Sequence, residues 1–339
     1  MKKRIFGYAA IVSMVLALTV GFIIGTDDTS LAADEVIKLK YQGKWEGHEK
    51  QNWAAEQLKF ADRVKAATGG KVIIENSGEV VRDNEVIDGV RRGVIDMGNQ
   101  AVHARGELGL VNFISLPFVP FDKMPEMYGK LKPTFESFWD KQGVKQMGYN
   151  FFLPQGLYTK KPCTTVEELK GMKLRIQGNI LVQLFKAAGA SPIVMNNAEV
   201  YQSGQRGILD GAQSAIAGYF SGAWYEVFKY MSAWPLGAAG MAVIMNKDSW
   251  NKLGPTLQGQ VMTAWNETEK AQFEGVLKDI SVIEKQLVEK GAIRQDPSKA
   301  EKDKLVSFAG PILKDWKAKV GPDGEVVMKV VNDELGTKY

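Results

Sequence analysis

The residue whose type and setting best suit binding chemistry is Arg175, within the segment LKGMKLRIQGN (169–179). It ends a short strand pattern and precedes a glycine-containing loop that opens a helix. A guanidinium presents a planar fork that matches a carboxylate in a bidentate manner. Beside a helix N-terminus, free backbone N–H groups would assist it. The segment therefore predicts an anion site, and a surface ion pair of Arg175 with a nearby acid is the competing interpretation.

Residue patterns typical of enzymes are missing from the sequence. His48 and His103 each stand alone, and Cys163 is the single cysteine, so no metal-ligand pair is spaced for zinc. The sequence has no nucleophile elbow, no dinucleotide fingerprint and no phosphate-binding loop. We therefore predict no metal, no cofactor and no catalysis. An exported enzyme that acts on a small acid through unpaired cleft carboxylates remains the alternative.

Composition points to an ordinary globular protein. The chain has 339 residues, of which 45% are hydrophobic and 24% charged, and this length suits about two domains. The net charge is +4, with acidic and basic residues interleaved. Without a sustained basic face, nucleic acid is not an expected partner.

The N-terminus has the pattern of an export signal. Lys2, Lys3 and Arg4 precede an apolar run at 5–24, and small residues then favour cleavage after Ala32. We therefore expect a periplasmic protein. A retained membrane anchor is the alternative, because about 20 apolar residues could span a bilayer.

The remainder of the chain alternates predicted strands and helices. In its first part we expect strands at 36–41, 71–75 and 94–98, with helices at 49–68 and 83–92. The same order recurs with strands at 172–176, 192–195 and 209–212 and helices at 180–188 and 198–206. This alternation predicts an α/β fold.

A short internal echo links the two parts. The segment RGVIDMG (92–98) is similar to RGILDGA (206–212). The echo predicts that the two halves share an architecture. Each would then deliver strand ends to a common crevice, where open α/β sheets bind ligands.

A late helix is predicted from 255 to 289. It carries an apolar stripe and would be about 50 Å long, more than one small domain is wide. We expect it to span both domains, with a dimerisation helix as the alternative.

Taken together, these segments resemble the solute receptors of tripartite ATP-independent periplasmic (TRAP) transporters. The similarity covers 34–330 and is carried by KPCTTVEELKGMKLR (161–175), by QRGILDGA (205–212) and by the echo at 92–96. The resemblance implies a periplasmic-binding-protein-like fold, with two α/β lobes closing around a central cleft. The lobes would comprise 33–152 plus 241–280 and 153–240 plus 281–339, following a signal peptide at 1–32.

The resemblance also implies a function. Arg175 would bind the carboxylate of a small organic acid, which could be an aromatic acid, or a sulfonate. The receptor would deliver this anion to a permease of one small and one large membrane subunit, driven by an ion gradient. A binding protein of an ATP-driven importer shares the two-lobed plan and is a further alternative.

Other site residues are predicted from their positions relative to the segments that carry the resemblance. Gln155 replaces a second arginine of some receptors, Asn197 replaces a frequent phenylalanine, and Gln213 and Ser214 replace part of a Glu-Asn-Pro motif, so sialic acid is not the expected ligand. These four could donate neutral hydrogen bonds around an anion. The further candidates, chosen for their places in loops or beside the Asp-Gly segment, are Lys44, Trp45, Gln100 and Tyr219.

Overall fold

The computed structural model describes residues 36–43, 50–102 and 108–338. Within these ranges the strands are β1 (Ile37–Gln42), β2 (Val72–Ser77), β3 (Met97–Ala101), β4 (Val144–Thr159), β5 (Lys173–Arg175), β6 (Ser191–Ile193), β7 (Gly211–Ala215), β8 (Tyr230–Ser232), β9 (Ala238–Asn246) and β10 (Ile293–Arg294).

The helices alternate with these strands in the first two thirds of the chain and follow one another at its end. They are α1 (Asn52–Leu58), α2 (Phe60–Ala67), α3 (Val86–Arg91), α4 (Met124–Lys141), α5 (Asn179–Ala187), α6 (Asn197–Gln205), α7 (Ile216–Ser221), α8 (Lys247–Glu289), α9 (Lys299–Ser307), α10 (Ala309–Val320) and α11 (Pro322–Leu335). None of the helices within the described ranges combines the length and apolarity needed to cross a membrane.

The sheet has a mirrored strand order. Along its main path the order is β2-β1-β3-β9-β4-β7-β5-β6. Strands β2, β1 and β3 run parallel with β1 in the centre, and β6, β5 and β7 repeat this arrangement around β5. The predicted α/β fold with two similar halves is therefore confirmed.

The sequence echo has a structural cause. In each half its aspartate accepts a hydrogen bond from the backbone of the central strand: Asp96 from the N–H of Lys40 at 2.8 Å, and Asp210 from the N–H of Lys173 at 2.9 Å. The aspartates' own N–H groups return bonds to the carbonyls of the same two lysines. The repeated Arg-Gly-x-x-Asp pattern therefore fastens the third strand of each half to its centre.

Strand β4 belongs to both halves. Its residues from Val144 to Pro154 pair with β9, and those from Gln155 to Thr159 pair with β7. The register with β9 shifts between Phe151 and Pro154, just before the partner changes. The two halves are thus joined through one continuous strand.

Two apolar clusters lie on opposite faces of the sheet. Consecutive residues of one strand fall in different clusters, such as Leu157 in one and Tyr158 in the other. Since successive strand side chains point to opposite faces, each cluster is the core beneath one layer of helices. Both cores extend across the two halves.

The long helix is confirmed from Pro255 to Glu289, but it begins earlier, at Lys247, with a kink at Gly254 (φ 66°). It packs against α1 and α2 in the first half, and also against β4 and α7. Helix α11 packs against α4, whereas α10 packs against α5.

Two local predictions need correction. The strand predicted at 94–98 begins only at Met97, because residues 94–96 bend so that Asp96 can reach Lys40. The helix predicted at 49–68 is divided at Lys59 into α1 and α2, and its first residue lies outside the described ranges.

Candidate functional site

A cavity of about 550 Å³ opens where the strands of both halves end. Its walls include Ala101 at the end of β3, Gln177 after β5, Asn197 after β6 and Ser214 near the end of β7. Asp83 and Asn84, after β2, also lie in the wall contributed by the first half. The crevice is therefore built at the carboxyl ends of parallel strands, as in other open α/β sheets.

Arg175 ends β5 with its side chain fully buried. Its guanidinium donates through Nε to the carbonyl of Met195 at 3.2 Å, through Nη1 to the carbonyl of Gln213 at 2.8 Å, and through Nη2 to Oδ1 of Asn197 at 2.5 Å. All three acceptors are neutral. Among the ion pairs of the described residues none involves Arg175, so its charge has no carboxylate partner there.

Burial lowers the pKa of Arg175 to about 10, so the guanidinium still keeps its proton at neutral pH. Its Cζ lies 5.9 Å from the centre of the Trp224 ring, which gives weak cation–π compensation. A buried charge without a counterion is costly. An anion that enters the adjoining cavity would therefore be strongly favoured.

Arg175 itself is not among the described residues that line the cavity, and Asn197 links its charge to it. Asn197 lines the cavity wall, accepts the bond from Nη2 of Arg175 and is the first residue of α6. The preceding Asn196 also lines the wall, and its N–H donates to Oε2 of Glu199 at 3.0 Å, which fixes the start of the helix. The positive end of the helix dipole adds to the field of the guanidinium.

Two other predicted residues line the cavity. Nε2 of Gln155 donates to the carbonyl of Ala238 at 3.1 Å, so the amide also ties β4 to β9. Ser214 is nearly buried, and its hydroxyl can donate one hydrogen bond to a bound molecule.

Gln213 supports the site from behind. Its carbonyl accepts from Arg175, and its side-chain Oε1 accepts from the N–H of Gln177 at 2.9 Å. The amide is thereby used to hold the loop between β5 and α5. Gln213 is a positioning residue, since it does not line the cavity.

Gln100 and Tyr219, which are also predicted as site residues, do not line this cavity. Oε1 of Gln100 accepts from the N–H of Ile87 at 2.8 Å, and its Nε2 donates to the carbonyl of Ala101. The hydroxyl of Tyr219 donates to the carbonyl of Phe228 at 2.6 Å, and its ring stacks on Tyr158. Both side chains belong to the core.

The remaining two candidates, Lys44 and Trp45, lie outside the described residues.

One wall of the cavity is aromatic, and no sequence pattern predicts it. Trp53 and Phe152 line the cavity, with ring centres 4.9 Å apart and planes at 84°. Asp279 on α8 positions Trp53, because its carboxylate accepts the backbone N–H groups of Asn52 and Trp53, both at 3.1 Å. Since Asp279 lies 226 residues after Trp53 along the chain, no local pattern could reveal this contact.

Asp83 and Asn84 also line the cavity and are not among the predicted site residues, although the internal repeat indicates their position. They follow β2, which occupies in the first half the place that β6 occupies in the second. Applying the internal repeat would have placed them opposite Asn196 and Asn197.

In the described part of the chain, no group of three or more His, Cys, Asp or Glu side chains could hold a metal ion.

Comparison with known proteins adds the following matches. Residues 45–319 match the family model DctP, bacterial extracellular solute-binding protein, family 7. The 2,3-diketo-L-gulonate-binding periplasmic protein YiaO of Escherichia coli is 26% identical over 331 residues, which is 95% of this chain and 98% of that protein. The C4-dicarboxylate-binding periplasmic protein DctP of Rhodobacter capsulatus is 29% identical over 58% of this chain and 61% of its own length.

Solved structures show the same fold. The Bordetella pertussis extracytoplasmic solute receptor DctP7, which binds pyroglutamic acid, is 23% identical with a TM-score of 0.76, over 86% of this chain and 98% of that one. A TRAP periplasmic solute binding protein of Ochrobactrum anthropi is 18% identical with a TM-score of 0.82, over 89% and 97%.

Proposed function

Because the chain belongs to the bacterial extracellular solute-binding protein family 7, we propose that it captures a small organic anion and delivers it to a TRAP-type permease. The family match confirms the resemblance that the segments 161–175 and 205–212 indicate. The observation that carries the proposed ligand class is the buried guanidinium of Arg175, whose hydrogen-bond acceptors among the described residues are all neutral.

In this function, the ligand's carboxylate binds at Arg175 and the first turn of α6, with a hydrogen bond from Ser214, and Gln155 lies in the same cavity wall. The body of the ligand packs on Trp53 and Phe152 of the opposite wall. A ligand that touches both walls stabilises the closed arrangement over the open one. The relatives named for diketogulonate, C4-dicarboxylates and pyroglutamic acid support a small acid as the ligand.

The protein acts as a receptor without catalysis, like the receptors of its family. The lining polar groups support binding of this kind, since most are amides and hydroxyls that hold a ligand without exchanging protons at neutral pH. The permease partners are one small and one large membrane subunit, driven by an ion gradient.

The same proposal states that the chain is exported and that the mature protein has two lobes. Residues 1–32 form the signal, and a mature chain beginning at Ala33 is the expected product in mass spectrometry of the exported protein; an intact Met1 would contradict cleavage. The proposed lobe boundary at 152/153 is supported by the change of partner along β4, which occurs between Pro154 and Gln155.

The experiment that tests the function is a thermal-shift screen of organic acids, combined with mass spectrometry of molecules released from the purified protein. A ligand that binds only the native state raises the melting temperature. We expect an unaltered acid at one per chain. Conversion of that acid to another compound, or the lack of a shift with every acid and with the released molecule, would refute the proposal.

A further inference from the structure

A second cavity lies outside the crevice, at the other end of the ladder between β4 and β9. It has a volume of about 590 Å³ and is formed by the last turns of α4, the first residues of β4 and the start of α8. The pair Val144–Asn246 lies at this end of the ladder, whereas Phe151 and Gly240 pair near the crevice. At about 3.3 Å per strand residue, the two cavities are about 20 Å apart. No described residue lines both.

Gln146 supplies a buried polar group to this second cavity. Its side chain lines the wall, is only 2% exposed, and donates through Nε2 to the hydroxyl of Tyr128 at 3.1 Å. Its Oε1 has no hydrogen-bond partner among the described residues. Because a buried acceptor without a donor is costly, a molecule that brings a donor to this wall would be favoured.

An aromatic side chain lines the same cavity. Lys247, Trp250 and Asn251 lie at positions i, i+3 and i+4 of α8, so they share one face of the helix. All three line the cavity. Trp250 packs against the core but is only partly buried, so part of its ring is open to the apolar face of a bound molecule.

The charged side chains that line this cavity are paired with one another. Nζ of Lys247 lies 2.6 Å from Oδ1 of Asp140, and Nζ of Lys145 lies 3.7 Å from Oε1 of Glu136. The ammonium of Lys145 also lies 5.5 Å from the centre of the Trp250 ring. A charged ligand would compete with one of these pairs, whereas a neutral ligand leaves both intact and can still bond to their free lone pairs and protons.

From these features we infer that the cavity is a second binding site, separate from the crevice, for a neutral saccharide. Sugar hydroxyls both donate and accept hydrogen bonds, and one face of a sugar ring carries mainly C–H groups. A hydroxyl then donates to Oε1 of Gln146 while the C–H face packs on Trp250. A purely apolar ligand would leave Gln146 unpaired, and a small inorganic ion would not use the ring of Trp250. The inference goes beyond the proposed receptor function and does not depend on it.

The test titrates the purified protein with maltose, cellobiose and methyl β-D-glucoside, followed by the tryptophan indole N–H signals in NMR spectra. Spectra of Trp250→Phe and Trp53→Phe identify the indole signals of the second cavity and of the crevice. We expect at least one sugar to shift the Trp250 signal to saturation and to leave the Trp53 signal in place. The lack of a saturable shift at Trp250 with all three sugars, at up to about 50 mM, would overturn the inference.

Two variants test whether the sugar occupies this cavity. Gln146→Leu removes the buried acceptor at nearly constant volume and should weaken sugar binding by at least about threefold. Ser137→Phe fills the cavity from an exposed position on α4 and should abolish binding. The matched control is Lys252→Phe, which adds the same ring at an exposed position of α8 that does not line the cavity, and it should bind as the wild type does.

The variants also separate loss of the site from loss of the fold. Ser137→Phe changes only an exposed side chain, so its melting temperature should match that of the wild type. Sugar binding that persists in Ser137→Phe, or that is lost equally in Lys252→Phe, overturns the assignment to this cavity. A shift confined to the Trp53 signal places the sugar in the crevice and overturns it as well.

Discussion

Oδ1 of Asn197 accepts a hydrogen bond of 2.5 Å from Nη2 of Arg175, so a neutral amide occupies a position beside the guanidinium where an ion pair would have a carboxylate. Asn197 therefore connects Arg175 to the cavity without neutralising the positive charge of the guanidinium. Two predictions follow from this contact.

Replacement of Arg175 by alanine should weaken binding of the native acid by about 2 to 5 kcal/mol, because the ligand's carboxylate loses its buried charged partner. Arg175→Lys should retain part of the affinity, since it keeps the charge and loses the planar fork. Calorimetric titration measures both. Arg206→Ala, at the exposed end of α6, is the control and should bind as the wild type does. Unchanged affinity in Arg175→Ala would remove this residue from the site.

Asn197→Asp should place an internal counterion on Arg175. We expect the ligand-free protein to become more stable by about 1 to 3 kcal/mol in urea unfolding, and the native acid to bind at least about tenfold more weakly. The matched control is Asn196→Asp, which puts the same charge one residue earlier, where aspartate is equally suited to the N-cap position of α6. If both variants lose affinity equally, the loss reflects general repulsion rather than pairing with Arg175.

Gly275 on α8 lies directly against the start of α1. A Cβ there would be 2.9 Å from the carbonyl carbon of Asn52 and 2.9 Å from the backbone nitrogen of Trp53. Since backbone atoms cannot rotate away, Gly275→Ala should destabilise the protein by about 1 to 3 kcal/mol and weaken ligand binding by displacing Trp53. Gly259→Ala on the same helix meets nothing within 4 Å and should stabilise by about 0.5 to 1 kcal/mol. Equal melting temperatures for the two variants would contradict this packing.

Glu269 on α8 should make stability depend on pH. Burial raises the pKa of its carboxyl from 4.5 to about 7, and this outweighs the lowering by the N–H of Tyr149, which donates at 2.5 Å, and by Lys132. Between these two values the native state holds a proton that the unfolded chain has lost. Stability should therefore fall as pH rises through this window, by up to about 3 kcal/mol.

Urea unfolding of Glu269→Gln tests the predicted fall of stability with rising pH. The variant should be more stable than the wild type above about pH 7 and nearly equal to it below about pH 4.5, because glutamine stays neutral throughout. Glu267→Gln, which removes an exposed carboxylate from the same helix, should leave the pH profile unchanged. A stability difference that does not vary with pH would show that Glu269 acts through packing alone.

The sequence was sufficient for features that depend on local spacing. Strand β1, the helix from Pro255 to Glu289 and the equivalence of the two halves were predicted, because strand alternation, apolar stripes and the Arg-Gly-x-x-Asp echo are readable over short windows. The placement of Arg175 at the end of β5 followed from the same local pattern.

Features that depend on distant contacts were not predictable in this way. Gln100 and Gln213 are polar residues near strand ends, and only the folded chain shows that backbone groups of Ile87 and Gln177 occupy their amides. The position of Tyr219 after the Asp-Gly segment predicts a ligand contact, whereas its ring stacks on Tyr158 in the core. The roles of Trp53 and Asp279 likewise required α8 to be brought against α1.

The irregular stretch of β4 serves two purposes at once. Phe152, Leu153 and Gln155 line the cavity, and they lie where the strand leaves β9 and takes up β7, next to a proline that lacks an N–H group. In the proposed receptor, the joint between the two lobes and the surface under the solute would be one piece of backbone. Substitutions in this stretch should therefore alter the capture and release rates of a bound acid together.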